Sequence, residues 1–267
     1  MSRRFEERVV LVTGSTGMAA SAARALVGEG ARVFVTSRTA GNAEALGSEL
    51  DAGWMAADLA RENEADAAVG ACVERFGRLD AVYAVAGISG RRFGDGPLHE
   101  MSLTGWQTVM ANNATSLFLV ARAAIRQMLA QEPAADGRRG VLLAMSSALA
   151  RHPSPVHFGT HGYAASKGAI ESFTRAVAAT YAGNGIRVNA IAPSLVATPM
   201  SNRAQNDPAV LAYLRQRQPL AGGPIEVDAV TPVALHLLSD DARMITGQVI
   251  EVDAGWSVSE PQPPAPA

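Results

Sequence analysis

Residues 8–38 read RVVLVTGSTGMAASAARALVGEGARVFVTSR. The stretch opens on a short β-branched run, RVVLVT (8–13), and passes through a glycine-bounded turn. An Ala-rich segment follows from Met18 to Glu29 and stops at Gly30. Ala and Leu carry high helix propensity, whereas β-branched runs suit a buried strand. A second apolar run, RVFVTS (32–37), then restarts the strand pattern. The stretch therefore predicts strand, tight turn, helix and strand, the unit from which parallel sheets are built.

The same alternation continues outward. Strand-like runs recur at 54–57, 79–86, 140–146, 186–192 and 248–253. Helix-like segments fall at 42–50, 61–76, 99–131, 161–183 and 225–239, with a short one at 207–217. Continuous apolar strands separated by helices predict an α/β fold: a doubly wound, Rossmann-type parallel sheet of about seven strands with helices on both faces. No linker or fixed-period repeat divides the chain, so residues 1–257 read as a single domain. The Pro-rich end, 258–267, reads as a disordered or extended tail.

Composition narrows the function. Apolar residues make up 48% of the 267 positions and charged residues 18%, enough for a large core. The net charge of −2 offers no basic field for nucleic acid or anionic lipid. No run of about 18 apolar residues suggests a membrane span, and the N-terminus lacks a signal-peptide apolar region. A lone cysteine, Cys72, suits a reducing compartment, so a cytoplasmic location is expected. The 23 basic residues comprise 22 arginines and one lysine, Lys167. On count alone, that lysine is either the residue of a coding bias or a group whose chemistry arginine cannot supply.

In such a sheet, ligands bind beyond the C-terminal ends of the strands. The first turn, Gly14-Ser15-Thr16-Gly17-Met18, joins the first strand to the first helix. Its glycines would let the backbone approach a pyrophosphate at the helix N-terminus. The second strand ends in Ser37-Arg38, where an acidic residue would accept from the ribose hydroxyl of NAD. A guanidinium there suits the 2′-phosphate of NADP(H), with NAD(H) as the alternative, and a solvated arginine is the bland reading. Asp58-Leu59 after the third strand fits either a contact to adenine or a helix cap.

Tyr163 and Lys167 stand four positions apart in YAASK, and positions i and i+4 share a helix face. An ammonium beside a phenol is expected to lower its pKa from about 10 toward neutrality. Such a tyrosine can exchange a proton with an alcohol or a ketone. Ser146-Ser147 end a strand-like run, where a hydroxyl could hold a substrate oxygen. Asn113 sits within a helix-like segment and could bind a relay water. An ordinary buried hydrogen bond is the competing reading for both.

These residues, in this order, resemble the short-chain dehydrogenase/reductase family over about residues 6–257. The resemblance is carried by VTGSTGMA, LDAVYAVAG, NATSLFLVARAA, AMSS, YAASK, GIRVNAIAPSLVATPM and ITGQVIEVDAGW. It implies a reversible hydride transfer between a nicotinamide and a carbonyl or secondary-alcohol substrate. It implies Tyr163 as acid/base, Lys167 tuning it and binding the nicotinamide ribose, Ser147 orienting the substrate oxygen, and Asn113 holding a relay water. Ala86 and Gly87 would border the cofactor, and Pro193, Val196 and Thr198 its nicotinamide end. A homotetramer or homodimer is implied as well.

Three departures stand out. The family's turn, TGxxxGxG, is here TGSTGMA, one residue shorter, with Ala19 for the last glycine. The family's NNAG is Ala84-Val85-Ala86-Gly87, so two bracing amides are missing. Ser147 and Tyr163 stand 16 positions apart, more than usual, and the insertion carries His152, His157 and His161. No acidic or thiol ligand in the insertion completes a metal site, so no metal is expected. Phe158, His161, Ser194 and Met200 are the candidates for the substrate pocket, with an exposed loop as the alternative. Residues 199–218 are expected to form a lid. The short turn and lost amides also leave open a catalytically quiet, dinucleotide-binding sensor or scaffold.

Overall fold

The computed structural model describes residues 3–260. Seven strands form one parallel sheet: β1 (Val9–Thr13), β2 (Arg32–Ser37), β3 (Gly53–Ala56), β4 (Ala81–Ala84), β5 (Gly140–Met145), β6 (Ile186–Pro193) and β7 (Val249–Val252). Their order is β3-β2-β1-β4-β5-β6-β7, so the sheet winds both ways from β1 and β4. A crevice opens at the C-terminal ends of those two strands, where the crossovers diverge to opposite sides.

Each strand feeds two cores. Val10 and Val12 of β1 pack toward α1 (Gly17–Gly28) and α9 (Val227–Leu238). Val9 and Leu11 pack toward α3 (Glu62–Phe76), α5 (Ser116–Ala130) and α6 (His161–Tyr181). Tyr83 and Val82 of β4, and Leu143 and Leu142 of β5, divide the same way. Burial on both faces is why these strands read as unbroken apolar runs. The 42–50 segment forms α2 (Ala40–Glu49). Cys72 lies in the second core, where burial pushes its thiol up to about 12.

The segment 99–131 is not one helix. Residues 97–101 form a turn, and α4 (Leu103–Met110) begins under a cap in which Ser102 Oγ accepts from Gly105 N at 2.9 Å. A π-helical turn over Ala111–Thr115 then leads into α5. The single wider turn leaves the apolar pattern continuous, so the sequence reads through it. Residues 199–218, the expected lid, fold as α7 (Asn202–Gln205) and α8 (Pro208–Arg217) over a small core of Ala204, Val210, Leu214 and Trp256.

At the C-terminal end, Val258 N and Ser259 N donate to Gly255 O, so the expected tail starts inside a turn. Residues 261–267 of that tail lie outside the described residues. Among the described residues no helix is long and apolar enough to cross a membrane.

Candidate active site

The glycine turn uses two glycines in the left-handed region. Gly14 and Gly17 sit at φ +104° and +53°, values that side chains disfavour. A Cβ on Gly17 would lie 3.0 Å from Thr198 Cγ2, so the turn and the segment after β6 close on one another there. Met18 is already the second residue of α1, which begins at Gly17. Gly14, Ser15 and Thr16 border a cleft of about 220 Å³, together with Ser37 and Arg38. Its far side is Asp58, Leu59, Ala86 and Gly87.

Arg38 donates to Asn112 Oδ1 at 3.0 Å and pairs with no carboxylate among the described residues. Ser37 Oγ accepts from Thr39 N at 3.4 Å. Asp58 does not cap α3, whose N-cap position is Arg61. Its Oδ1 accepts from Ala60 N at 3.1 Å, closing a short turn, while Glu64 takes its backbone N–H at 2.6 Å. The carboxylate therefore shapes the turn and still faces the cleft.

Where the family's NNAG amides are missing, Ala84 and Val85 pack in the cores and a hydroxyl holds the backbone. Thr13 Oγ1 accepts from both Val85 N and Ala86 N, each at 3.0 Å. Asn113, buried in the π-helical turn, accepts from Ile88 N at 2.8 Å and donates to Ile88 O at 3.1 Å. Its amide also donates to Ser166 Oγ at 2.9 Å. Both amide hydrogens are thereby used, and Oδ1 keeps one lone pair. Asn113 pins the segment after β4 to the helix that carries Tyr163. A Cβ on Gly87 would come within 2.9 Å of Asn113 Oδ1, so that contact needs the glycine.

The cleft meets, at Gly87 and Ile88, a second cavity of about 300 Å³. Tyr163, Ser147 and Lys167 all border it. Ser147 Oγ accepts from Leu149 N at 3.2 Å, which leaves its own hydrogen free to donate. Lys167 Nζ donates to Met145 O at 2.7 Å and lies 5.6 Å from the Tyr163 ring centroid. Burial pushes Lys167 down to about 8. Burial also pushes the Tyr163 phenol up, against a smaller opposing pull from the Ser147 hydroxyl. The phenol is thus held up by burial, and the pull against it comes from Ser147.

Pro193, Val196 and Thr198 form one wall, with Ser194 and Met200 beside them. Phe158 lines the opposite wall and packs edge-on against Trp256 at 5.8 Å. His161 does not belong there: it is exposed at the first position of α6, outside the cavity lining. The backbone behind it explains why. The buried Asp95 carboxylate accepts from Gly162 N and Tyr163 N, both at 2.8 Å, which fixes the helix start and turns His161 outward. The insertion is tied down rather than loose. Arg151 pairs with buried Glu171 at 2.6 Å, and His152 with Glu251 at 3.0 Å. Trp256 Nε1 donates to His152 O at 3.2 Å.

Asp95, Glu171 and Arg91 carry no motif that sequence reasoning could use, and the motifs holding Thr13 and Trp256 do not show what these two side chains touch. Their partners are tens of residues away. The two neighbouring spaces, the positive-φ glycines at a helix N-terminus and the exposed guanidinium fit a nicotinamide dinucleotide.

Comparisons with known proteins agree with that geometry. Residues 12–257 match the family described as enoyl-(acyl carrier protein) reductase. The chain is 32% identical to cis-4-hydroxycyclohexanecarboxylate dehydrogenase of Sinomonas cyclohexanicum, over 96% of this chain and 99% of that protein. It is also 32% identical to a 2,5-dichloro-2,5-cyclohexadiene-1,4-diol dehydrogenase of Sphingobium indicum, over 97% and 99% respectively. Among solved structures, the 3-ketoacyl-(acyl-carrier-protein) reductase from Brucella melitensis complexed with NADH superposes with a TM-score of 0.84. That pair shares 29% identity and covers 95% of this chain and 99% of the other.

Proposed function

The chain belongs to the short-chain dehydrogenase/reductase family, and on that footing we propose that it interconverts a cyclic ketone and its secondary alcohol, using NADP(H). The observation that carries this reading is the meeting of Tyr163, Ser147 and Lys167 at the border of one cavity that shares Gly87 and Ile88 with the glycine-turn cleft. The alicyclic alcohols in the names of two relatives support the ring. Arg38, unpaired at the end of β2, supports NADP(H) over NAD(H).

A bound nicotinamide supplies the hydride for the carbonyl carbon, or removes it from the carbinol carbon. Gly14, Ser15, Thr16 and Gly17 would hold its diphosphate, with Met18 near the nicotinamide end. Ser37 and Arg38 would meet the 2′-phosphate, Asp58 and Leu59 the adenine, and Ala86 and Gly87 the ribose side. Pro193, Val196 and Thr198 would shape the nicotinamide end. In reduction, the Tyr163 phenol gives its proton to the carbonyl oxygen as that oxygen gains charge. A phenol pushed up by burial is protonated at neutral pH, which suits an acid. The free hydrogen of Ser147 donates to the same oxygen. Lys167, held on Met145 O, keeps further N–H donors for the ribose and for charge on the phenol oxygen. Asn113 acts through position, by fixing Ile88 and Ser166.

The paired face of α5 and α6 supports a homodimer or homotetramer. Phe118 there is 43% exposed, with its ring 6.4 Å from Phe173. Light scattering of the purified protein tests this.

The test of the activity is calorimetry with NADPH and NADH, followed by a panel of cyclic ketones read at the nicotinamide absorbance. Tyr163→Phe is expected to bind cofactor like the parent and lose roughly 10³-fold in kcat. Parental turnover by Tyr163→Phe would sink the mechanism. Tight cofactor binding with no turnover of any ketone would favour the quiet sensor or scaffold.

A further inference from the structure

The apolar cavity has a charged mouth of one sign. Besides Lys167, the charged side chains that line it are Arg91, Arg92 and Arg203, and no carboxylate lines it. Most other arginines with defined contacts sit against acids: Arg4 on Glu29, Arg24 on Glu49, Arg122 on Glu62. At the mouth the pattern differs. Arg91 forms no ion pair among the described residues; its Nη2 donates to His157 O at 2.7 Å, which fixes the guanidinium beside the Phe158 wall. Arg92 lies over the Phe93 ring at 4.9 Å. Arg203 has one long contact, 3.7 Å to Asp207, and is half exposed.

The groups that face these arginines do not neutralise them. Asp95 is the acid whose charge favours the Arg91 cation, and its two oxygens already accept from Gly162 N and Tyr163 N. Burial disfavours that cation most, and the charge of Arg203 disfavours it further. Two cations bordering one apolar space, with Asp95 already bound to the start of α6 and Asp207 at 3.7 Å from Arg203, can be joined by an anion from outside.

We infer that the cavity takes a substrate bearing a carboxylate, and that Arg91 and Arg203 bind that carboxylate while its ring lies against Phe158 and Trp256. This specifies the substrate class of the reading above and rests on it for the identity of the cavity. The anion belongs to the substrate rather than to the cofactor's diphosphate. Neither arginine borders the Gly14–Thr16 cleft, and both share their cavity with Leu149, Phe158 and Trp256.

The test uses the protein saturated with the oxidised form of whichever nicotinamide dinucleotide it binds. Calorimetry compares cyclohexanecarboxylate with cyclohexanecarboxamide, which differ in charge and little in shape. The acid is expected to bind about 10–100-fold more tightly. Arg203→Gln, a surface change, and Arg91→Gln should each cut that acid-to-amide ratio by about 10-fold. Equal affinity for the two probes, or none for either, overturns the inference. So does an unchanged ratio in both variants accompanied by weaker dinucleotide binding, which would assign the arginines to the cofactor. A second arm measures kcat/KM for 4-oxocyclohexanecarboxylate and its methyl ester. Arginine-dependent acid binding with no turnover of either ketone keeps the carboxylate site and defeats the redox reading. Equal turnover of both ketones defeats the carboxylate site and keeps the redox reading.

Discussion

The two halves of the site are built by opposite means. The dinucleotide cleft is local: Gly14 to Gly17 form one turn, Ser37 and Arg38 one strand end, Asp58 and Leu59 another. Most of these groups are set by residues next to them in the chain, although Arg38 is tied to Asn112 and Ala86 N to Thr13 from farther away. The substrate cavity is assembled from a distance. Asp95 reaches 67 and 68 positions to Gly162 and Tyr163, and Trp256 reaches 104 positions to His152. A local site is fixed by backbone geometry, so it tolerates exchange of the rest of the protein. A distant site depends on the packing of every element between, so it can be reshaped without disturbing the chemistry.

The comparison predicts a graded series of effects. Lys167→Arg keeps the charge and should still lose on the order of 10²–10³-fold in kcat, because a planar fork cannot take the place of a compact ammonium beside Met145 O. Steady-state kinetics with parental melting behaviour checks this; near-parental turnover would return the lone lysine to coding bias. The next effect is in pH. Lys167 titrates near about 8 in the folded protein, below its ordinary 10.5. Reduction is therefore expected to fall as pH rises through about 8, as the ammonium is lost.

Stability moves the other way. Below pH 8 both the folded and unfolded chains carry the lysine proton, and the cost of burying it is present in full. Between about pH 8 and 10.5 the unfolded chain holds the proton and the folded chain does not, so stability rises with pH. Relative to Lys167→Met, the parent should gain on the order of 3 kcal/mol across that window. Denaturant titrations at pH 7.5 and 10.5 test the sign; a flat difference between the two proteins contradicts it.

Smaller effects probe each half in turn. Arg38→Ala should weaken NADPH by about 10-fold and leave NADH within about twofold. Equal losses for both would remove the phosphate contact from the local half. Asp95→Ala should cost about 1–2 kcal/mol through the lost cap on α6. It should also lower kcat with little change in cofactor affinity, since it touches Tyr163 only through the backbone. A variant that loses cofactor affinity instead would mean the halves are not separable.

The same division explains what could be read from the chain alone. The strand positions and the glycine turn are legible because apolar runs and glycines leave contiguous signals. Tyr163 and Lys167 are legible because one helical turn separates them. Thr13 is not, since a hydroxyl that accepts from Val85 N and Ala86 N looks like any strand-end threonine. The π-helical turn at Ala111–Thr115 is hidden because it adds width without breaking the apolar pattern. His161 misleads for a related reason: proximity in sequence to Tyr163 says nothing of the side on which the first residue of a helix emerges. Arg91 and Arg203 are hidden among 22 arginines until folding places both at one cavity.

The insertion between Ser147 and Tyr163 is hung at fixed points, Arg151 on Glu171, His152 on Glu251 and His157 O on Arg91. The stretch 153–156 between those hooks bears none of the reacting groups. It behaves as an exchangeable panel: a lineage, or an engineer, can swap it for another of different length and taste while the proton path behind it stays untouched.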